Sequence, residues 1–144
     1  MGNRTQFKLH SNITLLKQEW PGEGRALEDL PLYFAQFLEK AAMKQEDLSG
    51  IAVVNGPGPY TGIRLGIGFA KTLSQVLEIP CHDVSSLEVL LPRELPEKTL
   101  IFSVLPLRKG MLNAQGFSYS ESGLKQITSL FTWTIEDCIT ALKK

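Results

Sequence analysis

The run Asn55-Gly56-Pro57-Gly58-Pro59-Tyr60-Thr61-Gly62-Ile63-Arg64-Leu65-Gly66-Ile67-Gly68 decides how the rest of the chain is read. Just before it, Ile51-Ala52-Val53-Val54 is a short apolar run bounded by Gly50 and Gly56, the pattern of a strand buried on both faces. Gly56 and Gly58 permit positive φ and Pro57 and Pro59 stiffen the turn, so the run predicts a strand, a tight loop and a helix over 61–77. Thr61 is placed to cap that helix with its hydroxyl. Four backbone N–H groups and the positive helix end then make Gly56, Gly58 and Thr61 a candidate phosphate loop. The same glycines also serve a plain strand-to-helix connection, and both readings stand. Two familiar phosphate motifs fail here. Ala70 precedes Lys71-Thr72 where a Walker A loop needs glycine, and Gly56, Gly58 and Gly62 do not keep the GxGxxG spacing.

The helix carries a second pattern. Gly62, Gly66, Ala70 and Ser74 recur every four residues, which builds a face with almost no bulk. Glycine costs about 1 kcal/mol against alanine inside a helix, so close packing must compensate. That packing could be on the chain's own sheet or on a partner. Upstream, Leu27, Leu30, Phe34, Phe37, Leu38 and Ala41 form the apolar stripe of a helix ending near Lys44, with Asp29 as its cap and Pro31 in the first turn. Strands are expected at 6–9 and 13–20, paired as a hairpin through Ser11-Asn12. Downstream, a strand at 79–84 leads to a short helix capped by Ser85 with Glu88. Strands follow at 100–105, 111–119 and 126–131, and Thr134 caps a last helix over 135–142. Helices alternating with buried-type strands predict an α/β fold with a mixed sheet.

Length and charge bound the function. The chain has 144 residues, 43% hydrophobic and 21% charged, enough for a real core. Lys+Arg and Asp+Glu are both 15, which argues against a broad basic surface that grips nucleic acid directly. Cys81 and Cys138 form no CxxC or Cys/His cluster, so neither a disulfide framework nor a zinc site is expected, and free thiols fit a reducing cytosol. The first residues carry no signal-peptide core, Gln6 breaks a myristoylation motif, and no apolar run could span a bilayer. A cytoplasmic protein without a membrane partner is the expectation.

Catalytic groups do not assemble. His10 and His82 lie in no metal-ligand spacing, Ser85-Ser86 lacks a GxSxG elbow, and the carboxylates at Glu19, Glu23, Glu28, Asp29, Glu46 and Asp47 read as solvated. Arg64, in the first turns of the long helix, could meet a phosphate, a partner carboxylate or a surface ion-pair partner. No enzyme activity, no catalytic residue and no metal site are expected from the chain alone.

The run Gly56 to Gly66 resembles the GPGSFTGLRIG signature of the bacterial TsaB (YeaZ) family, whose members take part in making threonylcarbamoyladenosine, a tRNA modification beside the anticodon. The segments 27–42, 47–53 and 79–88 are similar to that family on either side of the loop, and the likeness covers about 15–91. It implies a ribonuclease-H-like fold of the actin-like ATPase superfamily, with 1–98 as the first subdomain and 99–144 as a reduced second one. Two departures matter. The strand that usually ends Asp-Thr-Ser has no Asp in 7–12, and Leu105-Pro106-Leu107-Arg108 stands where the family has DAR.

The resemblance implies a non-catalytic scaffold that binds the catalytic TsaD-type subunit through the helices at 27–44 and 61–77. A TsaE-type ATPase joins the assembly, and tRNA is reached only indirectly. The expected contact residues are Leu30, Tyr33, Phe34, Phe37, Gly62, Arg64, Gly66 and Ala70. No cofactor is expected, with ATP or ADP only within a complex. Alone, the chain is expected to form a homodimer through the same helices, aromatic anchors meeting the small-residue face. Two other readings remain: a small nucleotide- or phosphate-binding protein, and a degenerate relative that has lost the complex.

Overall fold

A computed structural model describes residues 4–10, 15–21, 29–92 and 95–142. The chain divides into two compact units, 1–54 with 59–83, and 55–58 with 84–144. This differs from a division at 98/99. The physical reason is α3 (Ser86–Val89), a single turn that packs on the strand β5 (Thr99–Arg108) and buries Leu87 completely.

In the first unit β1 (Arg4–His10) and β2 (Leu15–Pro21) pair antiparallel, with Gln6 opposite Glu19. Gln6 Nε2 donates to Glu19 Oε1 at 2.6 Å across the pair. The expected turn at Ser11-Asn12 lies outside the described residues. Helix α1 (Leu30–Lys40) starts at Asp29, whose carbonyl accepts from Tyr33 N–H at 2.8 Å. Pro31 sits in the first turn, where its missing N–H has no intrahelical partner to lose. Phe37 and Leu38 are buried, and α1 lies against β1.

The helix stops four residues short of Lys44. Ala42 takes φ 52°, so its N–H returns to the Glu39 carbonyl and the Met43 N–H to the Leu38 carbonyl, both at 3.0 Å. That pair of bonds is a Schellman closure, with alanine where glycine is usual. A 3-10 turn at Gln45–Asp47 then leads to β3 (Ile51–Gly56), helix α2 (Tyr60–Leu77) and β4 (Cys81–Ser85), the last pairing with β3. Phe34 of α1 meets Phe69 of α2 edge-to-face at 5.5 Å. A strand buried on both faces was the expectation for β3. Instead Ile51 and Val53 are half-buried, while Ala52 and Val54 are exposed. Among the described residues β4 is its sole strand neighbour.

The second unit is built on β6 (Met111–Ser120), with β5 along one edge. Its other edge is shared by β7 (Gly123–Gln126) and β8 (Phe131–Thr134), all antiparallel. Lys109-Gly110 closes the β5–β6 hairpin, Gly110 at φ 75°. One strand at 126–131 was expected, but 127–130 step aside there. Gly116 N–H donates to Thr128 Oγ1 at 2.8 Å, and Ile127 N–H donates to the Gly116 carbonyl at 2.9 Å. A threonine hydroxyl thus replaces a strand partner at the midpoint of β6.

Pairing puts Phe102 beside Gly116, Phe131 beside Ala114 and Trp133 beside Leu112, all on one face. The rings of Phe102, Phe131 and Trp133 lie 5.0–6.5 Å apart and roof Ala114 and Gly116, which are buried. A Cβ on Gly116 would stand 2.9 Å from the Phe102 ring, which explains the glycine. The opposite face buries Phe117 with Ser103, Asn113 and Gln115. Helix α4 (Ile135–Leu142) opens with a reciprocal cap: Asp137 N–H donates to Thr134 Oγ1 at 3.1 Å, and Thr134 N–H to Asp137 Oδ2 at 3.2 Å. The secondary structure is thus α/β, as expected, and among the described residues the strands form three ladders.

Candidate functional site

The signature run places β3, a turn and the first turns of α2 in succession. Gly56 closes β3 at φ 114°, a conformation open to glycine, and the Gly56–Pro57 peptide is cis. Thr61 is not the helix cap. Pro59 holds that position with φ −59° and no side-chain cap bond, and Ile63 N–H makes the first helical bond to its carbonyl at 3.0 Å. Proline lacks an N–H, so the N–H groups of Tyr60, Thr61 and Gly62 lead the helix, three rather than four. Gly58 and Thr61 are exposed.

Among the described residues, the partner of Arg64 lies on its own helix. Its Nη1 donates to the Tyr60 hydroxyl at 2.7 Å, and the guanidinium carbon lies 5.1 Å from the centre of that ring. Tyr60 is a residue that the sequence reading missed, although four-residue spacing on a helix was the available signal. The pair covers the outer side of the first turn.

The other expected contact residues separate into two groups. Phe37 is 3% exposed and Ala70 5%, so both belong to the interior of the first unit. Gly66 faces Val53 of β3, whose Cγ2 would lie 3.8 Å from an added Cβ. On the small-residue face of α2, Gly66 thus lies beside the chain's own strand β3, and Ala70 is buried. Gly62 and Arg64 are exposed, with open space around Gly62. Leu30, Tyr33 and Phe34 are half-buried along α1. Tyr33 donates to Asp29 Oδ2 at 3.4 Å, and burial, then the charge and hydrogen bond of Asp29, push its phenol up.

Elsewhere the chemistry is sparse. Cys81 and Cys138 are half-buried free thiols and His82 is exposed, while the side chain of His10 lies outside the described residues. Ser85 acts as a cap, its Oγ accepting from Leu87 N–H at 3.2 Å. Asp47 accepts from Lys44 N–H at 2.8 Å. Among the described residues no three His, Cys, Asp or Glu side chains gather as a metal site, and no helix is long and apolar enough to cross a membrane.

The family model for TsaD, tRNA N6-adenosine threonylcarbamoyltransferase, matches residues 25–110. A Bacillus subtilis protein, tRNA threonylcarbamoyladenosine biosynthesis protein TsaB, is 36% identical over 107 residues, 74% of this chain and 47% of that one. The protein of the same name from Buchnera aphidicola is 43% identical over 53 residues, 37% of this chain and 25% of its own. The chain thus spans about half the length of the first relative and a quarter of the second. The solved structure of YeaZ from Pseudomonas aeruginosa superposes with TM-score 0.76 over 91% of this chain and 62% of that one, at 19% identity. The fold class is therefore the ribonuclease-H-like α/β class of that structure.

Proposed function

Because this chain belongs to the TsaB (YeaZ) family, we propose that it serves threonylcarbamoyladenosine biosynthesis on tRNA as a non-catalytic scaffold for a TsaD-type subunit. The observation that carries this reading is the pair α1 and α2. They are locked together by Phe34 on Phe69, and α2 keeps Gly62 and the Tyr60–Arg64 pair on its exposed first turns. A rigid helix pair with an open glycine is a docking element, because a partner can approach the backbone closely there. The relatives' names support the pathway. The departures at 7–12 and 105–108 support a role without catalysis. A TsaE-type ATPase and tRNA would be reached through the TsaD-type partner. The contact residues on this reading are Leu30, Tyr33, Phe34, Gly62 and Arg64.

Phosphate binding at the three leading N–H groups of α2 is the second reading, favoured by the missing side-chain cap at Pro59. Calorimetric titration with ADP, and with a purified TsaD-type protein, separates the two. The scaffold reading expects a stoichiometric protein complex, no ATP hydrolysis above background and no nucleotide heat from the chain alone. Metal-dependent ATP turnover, lost on changing Gly58 or Thr61, would overturn it.

A further inference from the structure

Resting on the scaffold reading above, we propose that the stripe Tyr60, Arg64, Gly68 and Lys71 of α2 docks an acidic helix of the TsaD-type partner. Spacings of four, four and three residues put these side chains on one side of α2. All four residues are exposed, whereas Gly66 beside Val53 and the buried Ala70 lie on the other side. Charge selects the occupant. From Tyr60 to Leu77, α2 carries Arg64 and Lys71 as its charged residues and no Asp or Glu. Each cation thus lacks an acidic neighbour three or four residues away, the usual partner on a helix. The Tyr60 hydroxyl accepts from Arg64 Nη1 at 2.7 Å, which steadies the guanidinium and turns its Nη2 and Nε edge to a carboxylate.

Gly68 adds a second, independent observation. It sits in the middle of α2 without positive φ, and nothing lies within 4 Å of a built Cβ. Neither conformation nor packing among the described residues requires glycine there, and glycine is a poor helix former. What it provides is access, because a neighbouring helix can approach the backbone between the two cations. Arg64 and Lys71 are two turns apart, roughly 10 Å along the axis, so the complementary helix carries Asp or Glu at that separation. Tyr60, 71% exposed, adds an aromatic anchor of the kind that dominates interfaces. A nucleic acid fits less well, since two cations on a chain of zero net charge neutralise few phosphates.

The test measures the affinity of a purified TsaD-type protein for the chain at low and at high salt. Arg64→Glu with Lys71→Glu should weaken the complex roughly tenfold or more and remove most of its salt dependence. Lys109→Glu with Lys125→Glu, an equal change of charge at exposed positions of the second unit, should leave it unchanged. Gly68→Leu, which alters no charge, should weaken it by a similar factor, and circular dichroism checks that each variant is folded. Unchanged affinity in the double reversal or in Gly68→Leu, where Gly62→Arg does weaken the complex, overturns the stripe and leaves the scaffold reading standing. No complex with the wild-type chain overturns both. Binding of tRNA by the chain alone, lost in the Arg64/Lys71 reversal, makes the occupant a nucleic acid and overturns the proposal as well.

Discussion

Two sets of glycines in this chain behave in opposite ways. On α2, Gly62 and Gly68 have nothing within 4 Å of a built Cβ, and Gly66 has only Val53 at an ordinary 3.8 Å. On β6, Gly116 is crowded on three sides, by Phe102 at 2.9 Å, Thr128 at 3.1 Å and Ile127 at 3.3 Å. A helical pattern of small residues reads as tight packing, yet the tight spot is a single glycine in the second unit's sheet. Periodicity reveals which residues share a face. It does not reveal how near the neighbouring atoms come.

The comparison breaks most visibly at Gly116. Gly116→Val should cost about 1–3 kcal/mol by overpacking against the aromatic roof, read as a lower urea midpoint with unchanged slope. Little or no loss would show that the Phe102 ring swings clear. A second, smaller effect lies at the cap of α4. Thr134→Ala should cost about 1 kcal/mol. The hydrogen bonds from Thr134 hold the Asp137 carboxyl below its ordinary value. A depressed folded value means that this contribution is present above the unfolded carboxylate range and is lost as pH falls through the folded one. The acid side of the stability profile should therefore flatten in Thr134→Ala. The mildest effect belongs to α2, where Gly68→Ala should raise stability by about 0.5–1 kcal/mol, measured by thermal melting. A loss would mean that the open side of α2 is occupied.

The local grammar of the chain accounts for what was legible. The β1–β2 hairpin, α2 with its leading Gly/Pro turn, the long strands β5 and β6, the Ser85 cap and the Thr134 cap all follow from pattern and cap chemistry within a few residues. The misses are tertiary. Ala42 ends α1 in a left-handed conformation that alanine does not advertise, whereas glycine would have. Thr128 splits the expected third strand because its hydroxyl meets Gly116, twelve residues away. The exposure of Val54 depends on how many strands flank β3, which no run of four residues encodes. At the candidate site, proximity at Pro59 and Tyr60 outweighed motif. Thr61 has the right chemistry for a cap but stands two residues inside the helix.

The scaffold reading rests on the difference between the open and the closed positions of α2, and one titration tests it. Purified TsaD-type protein is titrated into the wild-type chain and into Gly62→Arg, with circular dichroism on both. Open space around Gly62 predicts that the variant keeps its fold while its affinity for the partner falls roughly tenfold or more, as expected for bulk and charge set into an interface. Equal affinity in the two proteins, or no complex with the wild-type chain, would contradict it.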